Sequence, residues 1–475
     1  MSSSYPSSAS AASGFQACLA AFLQAPGLPF ATVLSPEQVA AAFAAEGTSF
    51  GDRDDTIYTP SITLWAFLSQ MVFLDELRSC AAAVARVMVF LTSLGHRAPS
   101  ADTGNYCRAR QKLPENVLRR LALETGTRLE AQTPAEWLWY GRHVKIADGS
   151  TLSMPDTPDN QKAYPQPKTQ KPGLGFPILR MMVVISLATA ALCDLALAPY
   201  SGKRTGETSL LRSLLANFQG GDVVVGDRVC GNYFLIALGL KRGVDWLARI
   251  HQCRKIHYRR SRCQACSEER VTWQRPPRPK WMDPATYATI PQTLTLRQIV
   301  VEVQEPGFRV ERIALVCTLL DETQYPADAL AQLYRARWNV ELDLRALKQS
   351  MAMEPLRTKT PEMIRKEIWT HWLAYNLIRK VIAQAALTTG KQPRQISFAA
   401  ARQFLAASWD RLSRQPQAAK DLSGVLWPAI AQHRVGHRPN RVEPRALKRR
   451  PKSQRLMTKP RKELQAELLA GKGRG

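Results

Sequence analysis

The spacing of hydrophobic residues divides the chain into a helical beginning, an α/β middle and a helical end. From Gly14 to about Ala135, apolar residues recur at three- and four-residue steps, as in LWAFLSQMVFLDELRSCAAAVARVMVFL, and this period predicts helices. Near Val144 the pattern changes to short apolar runs typical of buried strands: VKIADGSTLSM, ILRMMVVISLAT, CDLALAPYSG and DVVVGD. Because the helical segments GETSLLRSLLANF and NYFLIALGLKR alternate with these runs, we predict an α/β core with a mixed sheet.

The second half of the chain predicts an interruption of that core and then more helices. Residues 252–311 are polar, basic and proline-rich, and the strand candidates TLTLRQIVVEV and RVERIALVCTLL follow the basic stretch, so we predict a β-rich insertion. The predicted organisation is a disordered Ser-rich head and a helical domain, then a core in two parts around the insertion, and a helical, basic C-terminal region. The head covers residues 1–13 and the helical domain residues 14–140. The core covers residues 141–251 and 312–390, and the insertion at 252–311 lies between its two parts. The C-terminal region covers residues 391–475.

One predicted helix, YRARWNVELDLRALK at residues 334–348, has two distinct faces. At 3.6 residues per turn, one face carries Tyr334, Arg337, Glu341, Arg345 and Lys348. The apolar stripe consists of Leu333, Ala336, Val340, Leu344 and Leu347. Taken alone, the charged face is better explained as a solvated surface with ion pairs between residues four apart.

The charge balance changes this interpretation. The chain has 65 Lys plus Arg against 39 Asp plus Glu, which gives a net charge of +26. A surplus of this size favours polyanionic partners through phosphate contacts and counterion release, so nucleic acid is the leading partner and an anionic membrane surface the weaker one. The density of basic residues is highest from Arg434 to Gly475, which contains fourteen Lys or Arg and three Glu.

Targeting and redox signals predict a soluble cytoplasmic protein that does not enter the membrane. The first fifty residues contain no Lys or Arg, unlike a secretory signal or a transit peptide. The longest apolar run, Met181 to Cys193, is too short to cross a bilayer. Nine cysteines, an odd number scattered over a long chain, favour reduced thiols over a disulfide framework.

Two aspartates follow the most apolar strand candidates. Asp148 lies in VKIADGST and Asp227 in DVVVGDRV, and either one alone is explained by ordinary turn chemistry. Together with Glu341 in a strongly basic chain, they match metal-assisted phosphoryl chemistry, in which carboxylate oxygens hold Mg²⁺ or Mn²⁺. Tyr334, Arg337 and Lys348, on the same face of the predicted helix as Glu341, would then contact the phosphates.

The spacing Tyr334-x2-Arg337-x3-Glu341-x6-Lys348 resembles the Y-(2)-R-(3)-E-(6)-K signature of the insertion sequence four family of bacterial DDE transposases. ADGST at the first aspartate, GDRVCGNYF at the second, and the long β-rich insertion before the glutamate resemble the family's other landmarks. The resemblance runs from about Thr59 to Arg461, which is most of the chain.

The resemblance implies an RNase H-like fold and a cut-and-paste transposase that hydrolyses element ends and joins the freed 3′-hydroxyls to target DNA. It implies a site for two Mg²⁺ ions, with Mn²⁺ as a substitute, at Asp148, Asp227 and Glu341. The implied partners are the terminal inverted repeats, target DNA and a second copy of the chain in a synaptic complex at the bacterial nucleoid. Tyr334, Arg337 and Lys348 match positions that contact phosphates and position strands. Further predicted DNA contacts are Arg228, Arg345, Arg259, Arg260, Lys448, Arg449 and Arg450.

Several alternatives stay open at this stage. One is a catalytically inactive, transposase-derived DNA-binding protein, and another is a metal-dependent nuclease of the same fold. Trp273, Trp281 and Trp338 are candidates for holding a flipped base, although core packing is the favoured interpretation for Trp338 and for Trp246. Zinc ligation within HQCRKIHYRRSRCQAC is disfavoured because only the last pair of its cysteines has the usual C-x2-C spacing, whereas a zinc site usually has two closely spaced pairs of ligands. Its possible ligands are Cys253, His257, Cys263 and Cys266.

Overall fold

A computed structural model describes residues 11–48, 50, 56–251, 253–254, 266–302, 312–436 and 457–470. The first part is helical, as the periodicity predicts, and side-chain caps define where three helices begin. The hydroxyls of Ser35, Thr59 and Ser79 accept hydrogen bonds from backbone amides in the first turns of the second, third and fourth helices. The helices are α1 (Ala11–Ala20), α2 (Pro36–Ala45), α3 (Pro60–Val72), α4 (Cys80–Ser93), α5 (Gly104–Lys112) and α6 (Glu115–Ala131).

One mixed sheet of eight strands forms the centre of the described residues. Its order is β3-β2-β1-β4-β5-β8-β7-β6. The strands are β1 (Val144–Ser153), β2 (Ile178–Ser186), β3 (Leu192–Pro199), β4 (Val223–Gly226), β5 (Asp245–Arg249), β6 (Cys266–Gln274), β7 (Thr293–Glu302) and β8 (Arg312–Cys317). β1, β4 and β5 are parallel neighbours, and every other pair is antiparallel. The predicted α/β mixed-sheet fold is confirmed, and the order 3-2-1-4-5 of the first five strands is RNase H-like.

The strands that follow β5 extend the core sheet. β8 pairs with the free edge of β5, β7 pairs with β8, and β6 forms the new edge. The pattern of the sequence predicted β7 and β8, but β5 and β6 were missed. β5 has five residues, and β6 carries charged residues at Glu268, Glu269 and Arg270, so neither gives a clear strand pattern. The predicted domain boundaries themselves stay a prediction.

Helices cover both faces of the sheet. On one face, α8 (Glu207–Leu214) and α9 (Tyr233–Leu240) share a core with residues of β2, β4 and β5. On the other face lie α11 (Ala327–Ala336), α12 (Asn339–Arg345) and the long α13 (Pro361–Thr388). The remaining helices are α7 (Pro158–Ala163), α10 (Pro284–Ala288), α14 (Phe398–Arg414), α15 (Ala418–Gln432) and α16 (Arg461–Leu469).

α13 joins the N-terminal helices to the sheet. Side chains of α3, α6, α13, α14 and α15 belong to one hydrophobic core together with side chains of β1, β2 and β3. The contact between α6 and β3 is very close, because a Cβ placed on Gly126 would lie 1.6 Å from the carbonyl oxygen of Leu192. The N-terminal helices therefore pack directly on the core that carries the strand-end aspartates. No helix of the described residues is long and apolar enough to cross a bilayer.

The single helix predicted for residues 334–348 is wrong. α11 ends at Ala336, α12 begins at Asn339, and residues Ala346–Ser350 form a π-helical turn. At the break, the amides of Arg337 and Trp338 donate to carbonyls three residues earlier, at 3.0 and 3.1 Å, which tightens the chain. The break lets the residues before and after it pack in different places, since Tyr334 belongs to the core beside β4 and β5 while Val340 belongs to the core around α13.

Candidate active site

Two aspartates lie at the same edge of two adjacent parallel strands. The pairing of β1 with β4 ends at Ala147 opposite Gly226, and the next residue on each strand is an aspartate, Asp148 or Asp227. The backbone amide of Gly149 donates to Asp148 Oδ1 at 3.1 Å, and the amide of Val229 donates to Asp227 Oδ1 at 2.9 Å. The parallel register therefore brings together two carboxylates that are far apart in sequence.

Glu341 of α12 reaches this edge through Arg337. The Arg337 guanidinium lies between two acids, with Nη1 3.9 Å from Asp148 Oδ2 and Nη2 3.7 Å from Glu341 Oε1. The Asp148 side chain is 18% exposed and that of Arg337 is 17% exposed, whereas that of Glu341 is 38% exposed. The structure thus joins Asp148 of β1 and Glu341 of α12 through one shared guanidinium group.

The pKa of Asp148 reflects both its burial and the other charged groups of the site. Burial raises the pKa of Asp148 to about 6, the Arg337 guanidinium opposes this rise, and the carboxylates of Asp227 and Glu341 add to it. A carboxyl group that is crowded by like charges gains free energy when a cation binds nearby. This edge of the sheet therefore favours the binding of a cation, although the protein as a whole is strongly positive.

Tyr334 and Lys348 flank the three acids. Tyr334 is buried on α11, burial raises the pKa of its phenol, and its ring centroid lies 5.9 Å from the Arg337 guanidinium carbon. Lys348 is on the π-helical turn, where its Nζ donates to the Thr151 carbonyl oxygen of β1 at 2.7 Å and pairs with Glu354 at 3.0 Å. Tyr334 therefore lies beside the acids, while Lys348 is tethered to the strand that carries Asp148, three residues further on.

The predicted DNA contacts divide into described and undescribed positions. Arg228 is half-buried directly after Asp227, and Arg345 is exposed at the end of α12. The other five lie outside the described residues: Arg259, Arg260, Lys448, Arg449 and Arg450. In the zinc candidate, Cys253 is exposed, and His257 and Cys263 are outside the described part of the chain.

The tryptophan expectations were partly wrong. Trp246 is fully buried, as predicted, but Trp338 is 54% exposed rather than packed in a core. Trp338 lies two residues from both Ala336 and Val340, about 200° around the helix, so its position points away from the apolar stripe. Arginine guanidinium carbons lie 3.5 Å from the ring centroid of Trp273 and 3.7 Å from that of Trp281, so both of these rings already have a cationic neighbour.

The three acids provide the ligand chemistry that a divalent cation requires. Their donors are carboxylate oxygens, which suit Mg²⁺ and Mn²⁺, and the carboxylates of Asp227 and Glu341 add to the rise that burial causes in the pKa of Asp148. Among the described residues, no group of three His, Cys, Asp or Glu side chains is drawn together tightly enough to hold a metal ion. Arg337 lies between Asp148 and Glu341.

One charged residue of the site region was missed by the sequence reasoning. Asp343, two residues after Glu341, is 1% exposed and pairs with Arg379 and Arg394. A signal was present, because Asp343 lies three residues after Val340 and four before Leu347, on the apolar side of the helix. An acid at such a position indicates a buried ion pair.

This RNase H-like sheet, with an aspartate directly after the last paired residue of each of two adjacent parallel strands, defines a DDE-type polynucleotidyl transferase. The family model described as a transposase DDE domain matches residues 139–377, and the chain belongs to that family. Membership of this family implies chemistry that depends on a divalent metal ion. The predicted enzyme class, and the predicted membership among transposases of the insertion sequence four type, are both confirmed.

Individual relatives are similar over different lengths. Transposase InsG for insertion sequence element IS4, from Escherichia coli strain K12, is 28% identical over 375 residues, covering 74% of this chain and 77% of the relative. The transposase for insertion sequence element IS421 of Escherichia coli is 38% identical over 68 residues, covering 14% and 18%. A cryo-EM structure of the piggyBac transposase synaptic complex with hairpin DNA gives a TM-score of 0.43 at 12% identity, covering 89% of this chain and 85% of that one.

Proposed function

We propose that this transposase cuts the ends of its insertion element by metal-dependent phosphodiester hydrolysis and joins the freed 3′-hydroxyls to target DNA. The observation that carries the proposal is the shared pairing of Arg337 with Asp148 and Glu341, beside Asp227. It supports a common role for three acids that are separated along the chain. The net charge of +26 supports a polyanionic substrate.

Asp148, Asp227 and Glu341 would hold two Mg²⁺ ions, with Mn²⁺ as a substitute. The chemistry supplied by such a pair of ions is activation of a water or 3′-hydroxyl and stabilisation of the leaving oxygen. The protein contributes the arrangement of the acids, since two of them are fixed by strand register and hydrogen-bonded by the amides of Gly149 and Val229. These amides orient the carboxylates and leave their remaining oxygen lone pairs available.

The basic and phenolic side chains bind and orient the DNA. Arg337, which pairs with Asp148 and Glu341, has a guanidinium group that can donate two parallel hydrogen bonds to a phosphate. The Tyr334 hydroxyl donates a hydrogen bond to a phosphate oxygen, since burial raises its pKa and it stays protonated at neutral pH. Arg228 and Arg345 extend the positive surface along the strand.

The outer parts of the chain complete the proposed complex. The N-terminal helices recognise the terminal inverted repeats, the basic segment around Arg259 and Arg260 grips the DNA near the cut, and the basic C-terminal tail around Lys448, Arg449 and Arg450 adds phosphate contacts. Two copies of the chain assemble in the synaptic complex. These assignments are supported by the distribution of charge and by the order of the elements along the chain.

The test uses the full chain, a labelled duplex carrying the element end, and Mg²⁺. We expect Asp148→Asn, Asp227→Asn and Glu341→Gln each to lower the cleavage rate by about a thousandfold or more, because each removes a charged ligand. Binding of the same duplex in a gel-shift assay should stay close to wild type. Asp245→Asn is the matched control, since Asp245 begins β5 at the opposite edge of the sheet and pairs with Arg142.

The outcomes separate the candidate functions. Full cleavage by Glu341→Gln would contradict the proposed site. Binding without cleavage in the wild-type protein would favour a DNA-binding protein derived from a transposase. Cleavage without joining, when precleaved ends with free 3′-hydroxyls are supplied together with target DNA, would favour a nuclease.

A further inference from the structure

The carboxylate of Asp343 forms a buried charge cluster with two arginines. Its Oδ1 lies 2.8 Å from Arg379 Nη2, and its Oδ2 lies 3.0 Å from Arg394 Nη1. The side chain of Asp343 is 2% exposed and that of Arg379 is 6% exposed. Burying charges costs several kcal/mol per ion, and buried pairs often add no net stability over apolar side chains. A role in geometry is therefore worth examining.

The two arginines connect Asp343 to the turn between β2 and β3. Arg394 donates through Nη2 to the Ser186 carbonyl oxygen at 2.7 Å and through Nε to the Leu187 carbonyl oxygen. Arg379 reaches the same turn indirectly. Its Nε donates to the Tyr375 hydroxyl at 3.0 Å, and that hydroxyl donates to the Ala190 carbonyl oxygen at 2.9 Å. The cluster thus ties α12 to the turn of the β2–β3 hairpin.

That turn leads directly to the strand beside Asp148. β2 pairs with β1 along nine residue pairs, including Asp148 opposite Val183 and Lys145 opposite Ser186. Residues two apart on a helix point about 200° apart, so Asp343 and Glu341 lie on opposite sides of α12. The accessibilities agree, since the Glu341 side chain is 38% exposed and that of Asp343 is 2% exposed. Asp343 holds the helix from behind while Glu341 faces Arg337.

α12 needs such an anchor because it is short and irregular at both ends. It has seven residues, follows the break at Arg337 and runs into the π-helical turn at Ala346. A helix of this length is unstable alone in water and depends on tertiary contacts. The apolar contacts of Val340 and Leu344 are non-directional. The two arginine pairs, in contrast, fix both the position and the rotation of the helix.

We propose that Asp343 is a positioning residue that sets the location of Glu341 relative to Asp148. This inference rests on the proposed function, in which Glu341 is the third acid of the site. Asp343 acts through the α12 backbone and does not touch the reacting atoms.

The experiment compares Asp343→Asn with Asp194→Asn in the full chain. Asp194 of β3 is the matched control because it is also a buried aspartate, 5% exposed. It accepts hydrogen bonds from Leu195 N at 2.8 Å and from Asn217 Nδ2 at 2.6 Å. The first readout is hydrogen exchange of the α12 amides, residues 339–345, in metal-free protein under native conditions. We expect exchange at least about tenfold faster in Asp343→Asn and unchanged exchange there in Asp194→Asn.

The second readout is Mg²⁺-dependent cleavage of the element end at a temperature where both variants are folded. We expect Asp343→Asn to lower the maximal rate at least about tenfold and to raise the Mg²⁺ concentration that gives half the maximal rate. Its affinity for the end duplex should equal that of wild type. Asp194→Asn should keep the wild-type Mg²⁺ dependence.

Each outcome decides the inference. Wild-type exchange in α12 with a wild-type Mg²⁺ dependence in Asp343→Asn would overturn it, as would identical changes in Asp194→Asn, which would indicate a general loss of stability. If Asp343→Asn does not fold, Arg394→Gln takes its place, since the Arg394 side chain is 17% exposed and the Arg379 pair remains. Failure of the wild-type protein to cleave would refute the proposed function, while the exchange measurement would still decide whether Asp343 holds α12.

Discussion

Arg337 occupies the position between two acids that a divalent cation would neutralise, and this leads to a prediction about metal affinity. Replacing the arginine by glutamine removes the positive charge 3.9 Å from Asp148 and 3.7 Å from Glu341 and keeps a side chain of similar length. We expect Arg337→Gln to bind Mn²⁺ or Mg²⁺ more tightly than wild type in the absence of DNA. The same variant should cleave DNA more slowly, since it loses a phosphate contact.

The size of the effect follows from the distances. At 3.9 Å and an effective dielectric constant of about 20, Coulomb's law gives about 4 kcal/mol as an upper bound for the Arg337–Asp148 attraction. Both side chains are nearly one-fifth exposed, so water reduces the competition with a metal ion to about 1–2 kcal/mol. This corresponds to about a tenfold tighter dissociation constant. Because Arg337 lowers the pKa of Asp148, that pKa should also rise above its value of about 6 in the variant.

The assay is isothermal titration of metal-free protein with Mn²⁺ at low ionic strength, without DNA, with Arg345→Gln as the control. Arg345 is an exposed arginine at the end of α12 that forms no ion pair with an acid among the described residues, so this control removes the same charge without removing the partner of Asp148 and Glu341. Unchanged or weaker Mn²⁺ binding by Arg337→Gln would refute the reasoning. It would mean that the guanidinium does not compete with a cation for these carboxylates.

Three further predictions concern stability. His371 is buried with a pKa lowered to about 3 by burial, and its Nε2 faces Arg78 Nη2 at 3.2 Å. Because unfolding lets this imidazole take up a proton, the free energy of unfolding should fall as the pH drops below about 6.5, by about 2 kcal/mol between pH 6.5 and 5.0. In urea denaturation, the stability of His371→Asn should depend less steeply on pH than that of wild type. Gly126→Ala should cost about 3 kcal/mol in the same assay, since the new Cβ would lie 1.6 Å from the Leu192 carbonyl oxygen; a near-neutral effect would contradict the close packing of α6 on β3. Lys348→Met should cost about 1–2 kcal/mol and slow cleavage, because a β1 carbonyl loses its donor; unchanged stability would show that this tether is dispensable.

Side-chain chemistry at fixed spacing was readable from the sequence. The apolar runs predicted β1 to β4, and the acids Asp148 and Asp227 follow apolar stretches whose ends the structure places side by side. Glu341 was identified by its spacing from Tyr334 and Arg337. Such features are local, so they survive without knowledge of distant contacts.

Other features depended on packing between distant segments. The break between α11 and α12 was missed because the hydrophobic period of 3.6 continues through residues 334–348. In the structure, the residues before and after the break pack in two different hydrophobic cores. β6 was missed because an edge strand tolerates charged residues on both faces, so it lacks a clear alternation.

The sequence by itself determined the class of chemistry, because residue types, their spacing and the net charge are properties of the linear chain. The tertiary structure decided which groups face one another. Only the folded chain placed Arg337 between Asp148 and Glu341, exposed Trp338 and buried Asp343 between two arginines. The physical reason is that burial and the distance between charges set these interactions, and both quantities arise from contacts between segments that are remote in sequence.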